Sequence, residues 1–171
     1  MDSFSDLVTA LDPAMVVVTT ADGEELAGCL AGFHGQSSID PPRYAVWLSK
    51  ANHTYRVALR STHLAVHLLT EDDHDLAAAF GSRSGDEVDK FADRPHERGP
   101  GGVPLLTECP HRFVLRRTVL VDEGGDHVCV SGEPVDAAGG SFTPLRLSAV
   151  DDIEPGHAAE ERPSPPTERA G

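Results

Sequence analysis

The sequence predicts a mainly β, α+β fold closed as an open or split antiparallel barrel. Three observations predict it: strand-like runs of six to ten residues follow one another closely, Gly- and Pro-rich turn signals separate them, and only two short internal helical stretches interrupt them. An alternation of ten-residue helices with strands, the mark of parallel βαβ sheets, is missing. Closure into a barrel is the natural outcome for about six such strands, because it leaves few bare edges.

Each element follows from local chemistry. Residues 1–11 form an N-terminal segment that reads as a short helix. Ala14 to Thr20 is apolar and β-branched, and it runs into Asp22-Gly23, a tight-turn signal, so a strand and a returning strand over Glu25 to Ala31 are predicted. Gly32 to Asp40 lacks large aliphatic residues and ends at Pro41-Pro42, which reads as a loop. Arg43 to Ser49 and His63 to Leu69 read as strands, with a short helix from Asn52 to Arg60 between them and Asn52 as its N-cap. Asp72, Asp73 and Asp75 followed by Leu76 to Phe80 and Gly81 predict a second helix, acidic at its start and stopped by glycine. Asp93 to Pro104 reads as surface loop. Arg112 to Val121 and Asp126 to Val135 form a hairpin around Glu123-Gly124-Gly125, and Phe142 to Val150 reads as a last strand. The boundaries are therefore 12–150 for the domain and 151–171 for a Glu- and Pro-rich tail that cannot repay the entropy of ordering.

Composition narrows the function. A chain of 171 residues buries one good core. Its net charge of −14 repels phosphate backbones and anionic headgroups, which argues against nucleic acid and membrane partners. The N-terminus has no basic patch followed by an apolar run, and no stretch reaches the roughly 20 apolar residues of a membrane span, so a cytoplasmic location is expected. Cys29, Cys109 and Cys129 are odd in number and lack CxxC spacing, the expectation for reduced thiols. The P-loop, GxGxxG, HExxH and GxSxG patterns are absent, so a nucleotide bound here needs another fold.

The segment Gly32 to Pro42 offers backbone approach at its glycines and neutral hydrogen-bond partners at Gln36, Ser37 and Ser38, a surface suited to a flat ring with polar edges. Lys50, Asn52, His53 and Thr54 stand at the start of the following helix, where free amides and the dipole favour a phosphate, and Arg56 and Arg60 could add charge. The same residues also fit a plain connection and an ordinary capped helix, and spacing alone leaves both readings open. Of the nine histidines, His63 and His67 share a strand face but lie roughly 13 Å apart, too far for one ion. Cys109, His111, His127 and Cys129 have zinc-ligand chemistry but fall well apart along the predicted hairpin, so no metal site is assigned. His74, set among aspartates, is expected to gain proton affinity.

Taken in order, Val16-Val17-Val18-Thr19-Thr20-Ala21-Asp22-Gly23, Ala27-Gly28, Ser38-Ile39-Asp40-Pro41-Pro42, Ser49-Lys50-Ala51-Asn52-His53-Thr54, Gly125-Asp126-His127 and Gly132-Glu133 make a pattern that resembles the flavin reductase-like proteins of the FMN-binding split-barrel superfamily, over roughly residues 12 to 150. The resemblance implies an antiparallel Greek-key split barrel, a homodimer, FMN (or FAD) near the subunit interface, and hydride transfer from NAD(P)H to the flavin, with reduced flavin passed to a monooxygenase partner. By position it places Gly35, Gln36, Ser37, Ser38, Ile39 and Asp40 along the ring, Lys50, Asn52, His53 and Thr54 near the phosphate, and His127 on the nicotinamide side in a positioning or proton-donating role. Leu30, Phe33, His34, Gln36 and Ser37 depart from the family's usual Thr-x-x-Ser-Phe-x-Ser-Val-Ser run. Two other readings stay open at this point: a flavin-binding electron carrier or storage protein without NAD(P)H turnover, and a catalytically inactive split barrel that serves as a scaffold or is adapted to haem.

Overall fold

The computed structural model describes residues 2–82 and 89–156. A first helix, α1 (Ser3–Ala10), is capped by Asp2, whose carboxylate accepts from the Ser5 amide at 2.9 Å, and none of its residues is buried. The main body is one antiparallel sheet of seven strands: β1 (Val16–Asp22), β2 (Glu25–Ala31), β3 (His34–Ser38), β4 (Arg43–Ser49), β5 (His63–Leu68), β8 (Arg112–Val121) and β9 (His127–Ala138), in the order β2-β1-β5-β8-β9-β4-β3. Two short helices, α2 (His53–Ala58) and α3 (His74–Gly81), and a small hairpin of β6 (His96–Arg98) and β7 (Pro104–Leu106) complete it. The sheet curls until β2 and β4 approach without pairing, which leaves the barrel split between them.

β1 explains how the layers form. Its residues are buried on both faces, so its apolar run shows no alternation. Val16 and Val18 point into the barrel with Val46, Leu48, Leu64, Val66, Leu115 and Val130. Val17 points the other way, into a second cluster with Leu69, Leu76, Phe80, Phe91, Leu106 and Val150. The buried hydroxyls of β1 have partners: Thr19 Oγ1 donates to the Pro104 carbonyl at 2.6 Å, and Thr20 Oγ1 lies 2.6 Å from Ser61 Oγ. The fully buried His67 accepts from the Leu106 amide at Nε2 (3.0 Å), so its Nδ1 carries the proton and donates to the Val17 carbonyl (3.2 Å). Burial depresses this imidazole to a pKa of about 4, and it is neutral at pH 7.

Three expectations are corrected. The segment after Gly32 is a strand, β3, because β4 supplies its hydrogen-bond partners through His34↔Val46, Gly35↔Ala45 and Gln36↔Tyr44. The stretch within 93–104 is partly structured by the β6–β7 hairpin, which turns on Gly101 and Gly102, both at positive φ. Residues 142–150 form no strand. Pro144 and Arg146 make single bridges to Thr70 and Ala14, and Leu147–Val150 is a 3-10 turn, since proline has no N–H for a ladder. Of the tail, Ile153 packs against the core and Asp152 pairs with His74, while residues from 157 lie outside the described residues.

Candidate functional site

Where the barrel is split, a groove opens between the end of β2, the end of β4 and the start of β9. Its first lobe, about 290 Å³, is lined by Met15, Cys29, Leu30, Gly32, Phe33, Trp47, Ser49, Asn52, His127 and Leu147. A second lobe of about 380 Å³ shares Ser49, Asn52 and His127 and runs on beneath Phe80, Gly81, Val150, Ile153 and Pro155. The walls are apolar, and the polar groups converge along one edge. The pleat explains the convergence: Ser49 and Trp47 lie on one face of β4, and Ser49 pairs with His127 across β9.

His127 is held from two sides. Its Nδ1 lies 2.7 Å from Asp126 Oδ1, and its ring meets Phe33 with centroids 5.0 Å apart at 56°. The hydrogen bond from His127 holds the Asp126 carboxyl below the usual carboxylate range, so the carboxylate is an acceptor and Nδ1 donates. Asn52 sits at the α2 N-cap as expected, makes no capping bond with its side chain, and lines both lobes.

The other expected residues fall elsewhere. Lys50 Nζ reaches Asp122 at 2.7 Å and is almost buried, so its charge is committed to the β8–β9 hairpin. His53 Nε2 lies 3.3 Å from Glu25, and Arg60 is bound by Asp22 and Glu25. Thr54 is buried beneath the groove floor, hydrogen-bonded to the Cys29 thiol, whose burial pushes its pKa up. Gly35, Gln36, Ser37 and Ser38 follow the outer edge strand, Gln36 Nε2 donates to the Ser38 carbonyl at 3.2 Å, Ile39 is 84% exposed, and Asp40 lies in the turn before Pro41. None of these six lines the groove of the single chain. Among the described residues no group of three or more candidate metal ligands forms. Cys109 and His111 precede β8, while His127 and Cys129 open β9 at the far end of the hairpin. His74 does gain proton affinity, chiefly through Asp152 at 2.8 Å rather than its sequence neighbours.

Sequence reasoning missed Met15, Cys29, Trp47 and Leu147, and treated Leu30 and Phe33 only as departures from a pattern. One signal was available: the alternation within Arg43 to Ser49 puts Trp47 on the same face as Ser49, leaving a large aromatic beside a polar residue at a strand end.

Comparison with known proteins agrees with this fold. Residues 11–146 match the flavin reductase like domain. The chain is 31% identical over 146 residues to the FMN reductase (NADH) SmoA of Agrobacterium fabrum, covering 85% of this chain and 81% of that protein. It is 28% identical over 130 residues to HsaB of Mycobacterium tuberculosis, the reductase subunit of a flavin-dependent monooxygenase, covering 76% and 67%. The crystal structure of an FMN-binding protein from Thermus thermophilus superposes with a TM-score of 0.67 at 29% identity, over 72% of this chain and 68% of that one. Several other relatives are longer, and the chain spans about half of their length. With four-fifths of its length matched and its barrel split at the same groove that gathers Ser49, Asn52 and His127, the chain belongs to the flavin reductase like domain family.

Proposed function

We propose that the chain is an NAD(P)H-dependent flavin reductase that takes FMN (or FAD) in the groove between β2, β4 and β9. One observation carries the reading: within a flavin reductase like domain, apolar walls face a polar edge of Ser49, Asn52 and His127, the donor and acceptor set that a flat ring with polar edges needs. The walls fit such a ring. A Cβ on Gly32 would come within 3.3 Å of Met15 Sδ, so the glycine keeps the floor open. When bound, a flavin supplies the redox chemistry by accepting a hydride from the reduced nicotinamide. The protein's part is to hold the rings, exclude water with Met15, Leu30 and Leu147, and present hydrogen bonds from Ser49, Asn52 and His127.

The partner follows from two further observations. HsaB is named as the reductase subunit of a monooxygenase, which supports delivery of reduced flavin to such a partner. Phe4, Leu7 and Leu11 are bare along α1. This is apolar surface of the kind a homodimer covers. Among the described residues no helix is long and apolar enough to cross a membrane. The test is titration of FMN by its fluorescence, followed by NADH or NADPH under nitrogen. Quenching on binding and catalytic bleaching of the visible flavin band are expected. Flavin binding without bleaching overturns the reductase reading in favour of a carrier, and an unchanged fluorescence overturns the flavin assignment altogether.

A further inference from the structure

Phe33 is out of place as a structural residue. Its side chain joins no core cluster and is 53% exposed, yet its backbone is fixed, because the Trp47 amide donates to its carbonyl at 2.9 Å. The chain therefore holds a large aromatic ring at the lip of the groove, between β2 and β3, where water rather than protein covers half of it. Two other apolar side chains on the same lobe, Trp47 at 37% and Leu147 at 36%, are also partly bare. Singly exposed apolar residues are ordinary, but three around one concavity mark a surface that a ligand covers.

The ring has a specific neighbour. Asp126 restrains the His127 imidazole through Nδ1 only, and a hydrogen bond at one ring nitrogen still allows the plane to swing. The Phe33 ring, 5.0 Å away and tilted by 56°, lies against it and blocks that swing. We propose that Phe33 is the positioning and specificity residue of this site: it braces His127 through ring contact and forms the apolar wall against which a planar conjugated ring lies. The inference rests on the flavin reading above and names the residue that sets how tightly the ring is held.

The test uses the full chain with Phe33→Ala and Phe33→Tyr, FMN as the probe, and two readouts: the dissociation constant from flavin fluorescence, and kcat and KM for NADH. Loss of one aromatic contact corresponds to roughly three- to tenfold weaker binding. F33A is expected to weaken FMN by about that factor and to lower kcat as well, while F33Y, which keeps the ring, restores both. A cycle of F33A with His127→Asn is expected to be non-additive, because each variant removes the same contact. The half-exposed site predicts unchanged thermal unfolding, so a loss of binding is not a loss of fold. Wild-type chain that binds and reduces FMN while F33A is indistinguishable from it, or a cycle that is additive, overturns the inference alone. Wild-type chain that fails to bind FMN overturns the flavin reading and this inference with it.

Discussion

Ser49 and His127 face each other across β4 and β9, and this single cross-strand pair brings two segments of the sequence pattern, separated by 78 positions, to one edge of the groove. Its neighbour Asp126 accepts the His127 Nδ1 proton. Asp126→Asn weakens that bond without emptying the site, and His127→Asn removes the imidazole. Both are expected to slow NADH-driven flavin reduction by about tenfold or less, below the usual range for an essential acid or base, since positioning supplies most of the acceleration. Steady-state rates on the two variants check this, and a loss far beyond tenfold shows that His127 transfers a required proton.

Asn52 and Lys50 should behave oppositely to what their charges suggest. Asn52 lines both lobes, whereas Lys50 is spent on Asp122. Asn52→Ala is expected to weaken FMN by roughly fivefold, the worth of about one hydrogen bond, and Lys50→Ala to leave affinity within about twofold. Fluorescence titration of each variant gives the order directly.

Acid sensitivity has an internal source in His67. The folded protein needs the imidazole neutral, with a pKa of about 4, while the unfolded chain takes up a proton at the ordinary 6.5. Protonation therefore favours the unfolded state as pH falls. The stability held above about pH 6.5 drains away down to about pH 4, by an amount on the order of 3 kcal/mol. Urea unfolding at pH 7 and pH 4.5 measures the slope. His67→Phe is expected to start less stable, because the Leu106 amide loses its acceptor, and to lose most of this pH dependence.

Glycine substitutions separate crowded from open backbone. A Cβ on Gly132 would lie 2.5 Å from the Arg116 carbonyl oxygen, which cannot move aside, and Gly132→Ala is expected to destabilise by about 1–3 kcal/mol or prevent folding. A Cβ on Gly35 meets nothing within 4 Å, so Gly35→Ala should stay within about 0.5 kcal/mol of wild type in thermal unfolding. Its effect on flavin binding then reports whether β3 reaches a ligand in the assembled protein.

Legibility in the sequence followed locality. Glu25–Ala31, Arg43–Ser49 and Arg112–Val121 have the strand bounds the sequence predicts, since apolar patterning and turn residues at their ends are local signals. His34–Ser38 was illegible because its residues have little β propensity of their own, and its ladder comes from β4. The groove was half legible. Asn52 and His127 stand in recognisable motifs, but the charges nearby looked available only until Asp122, Asp22 and Glu25 appeared beside them, and such pairings depend on long-range register. Phe33 looked like a mere exception to a pattern until its contact with a residue 94 positions away came into view.

The Asp12 carboxylate takes both the amide and the hydroxyl of Ser148, at 2.8 and 2.7 Å, so the opening of the domain is clasped to its close. Leu147, one residue earlier, lines the groove. A tether or fluorophore grafted at either end of the domain would thus emerge from the same spot, next to the mouth of the groove. A circular permutant that joins these extremities should open far from Gly124-Gly125, because Asp126 and His127 follow directly and form part of the groove's edge.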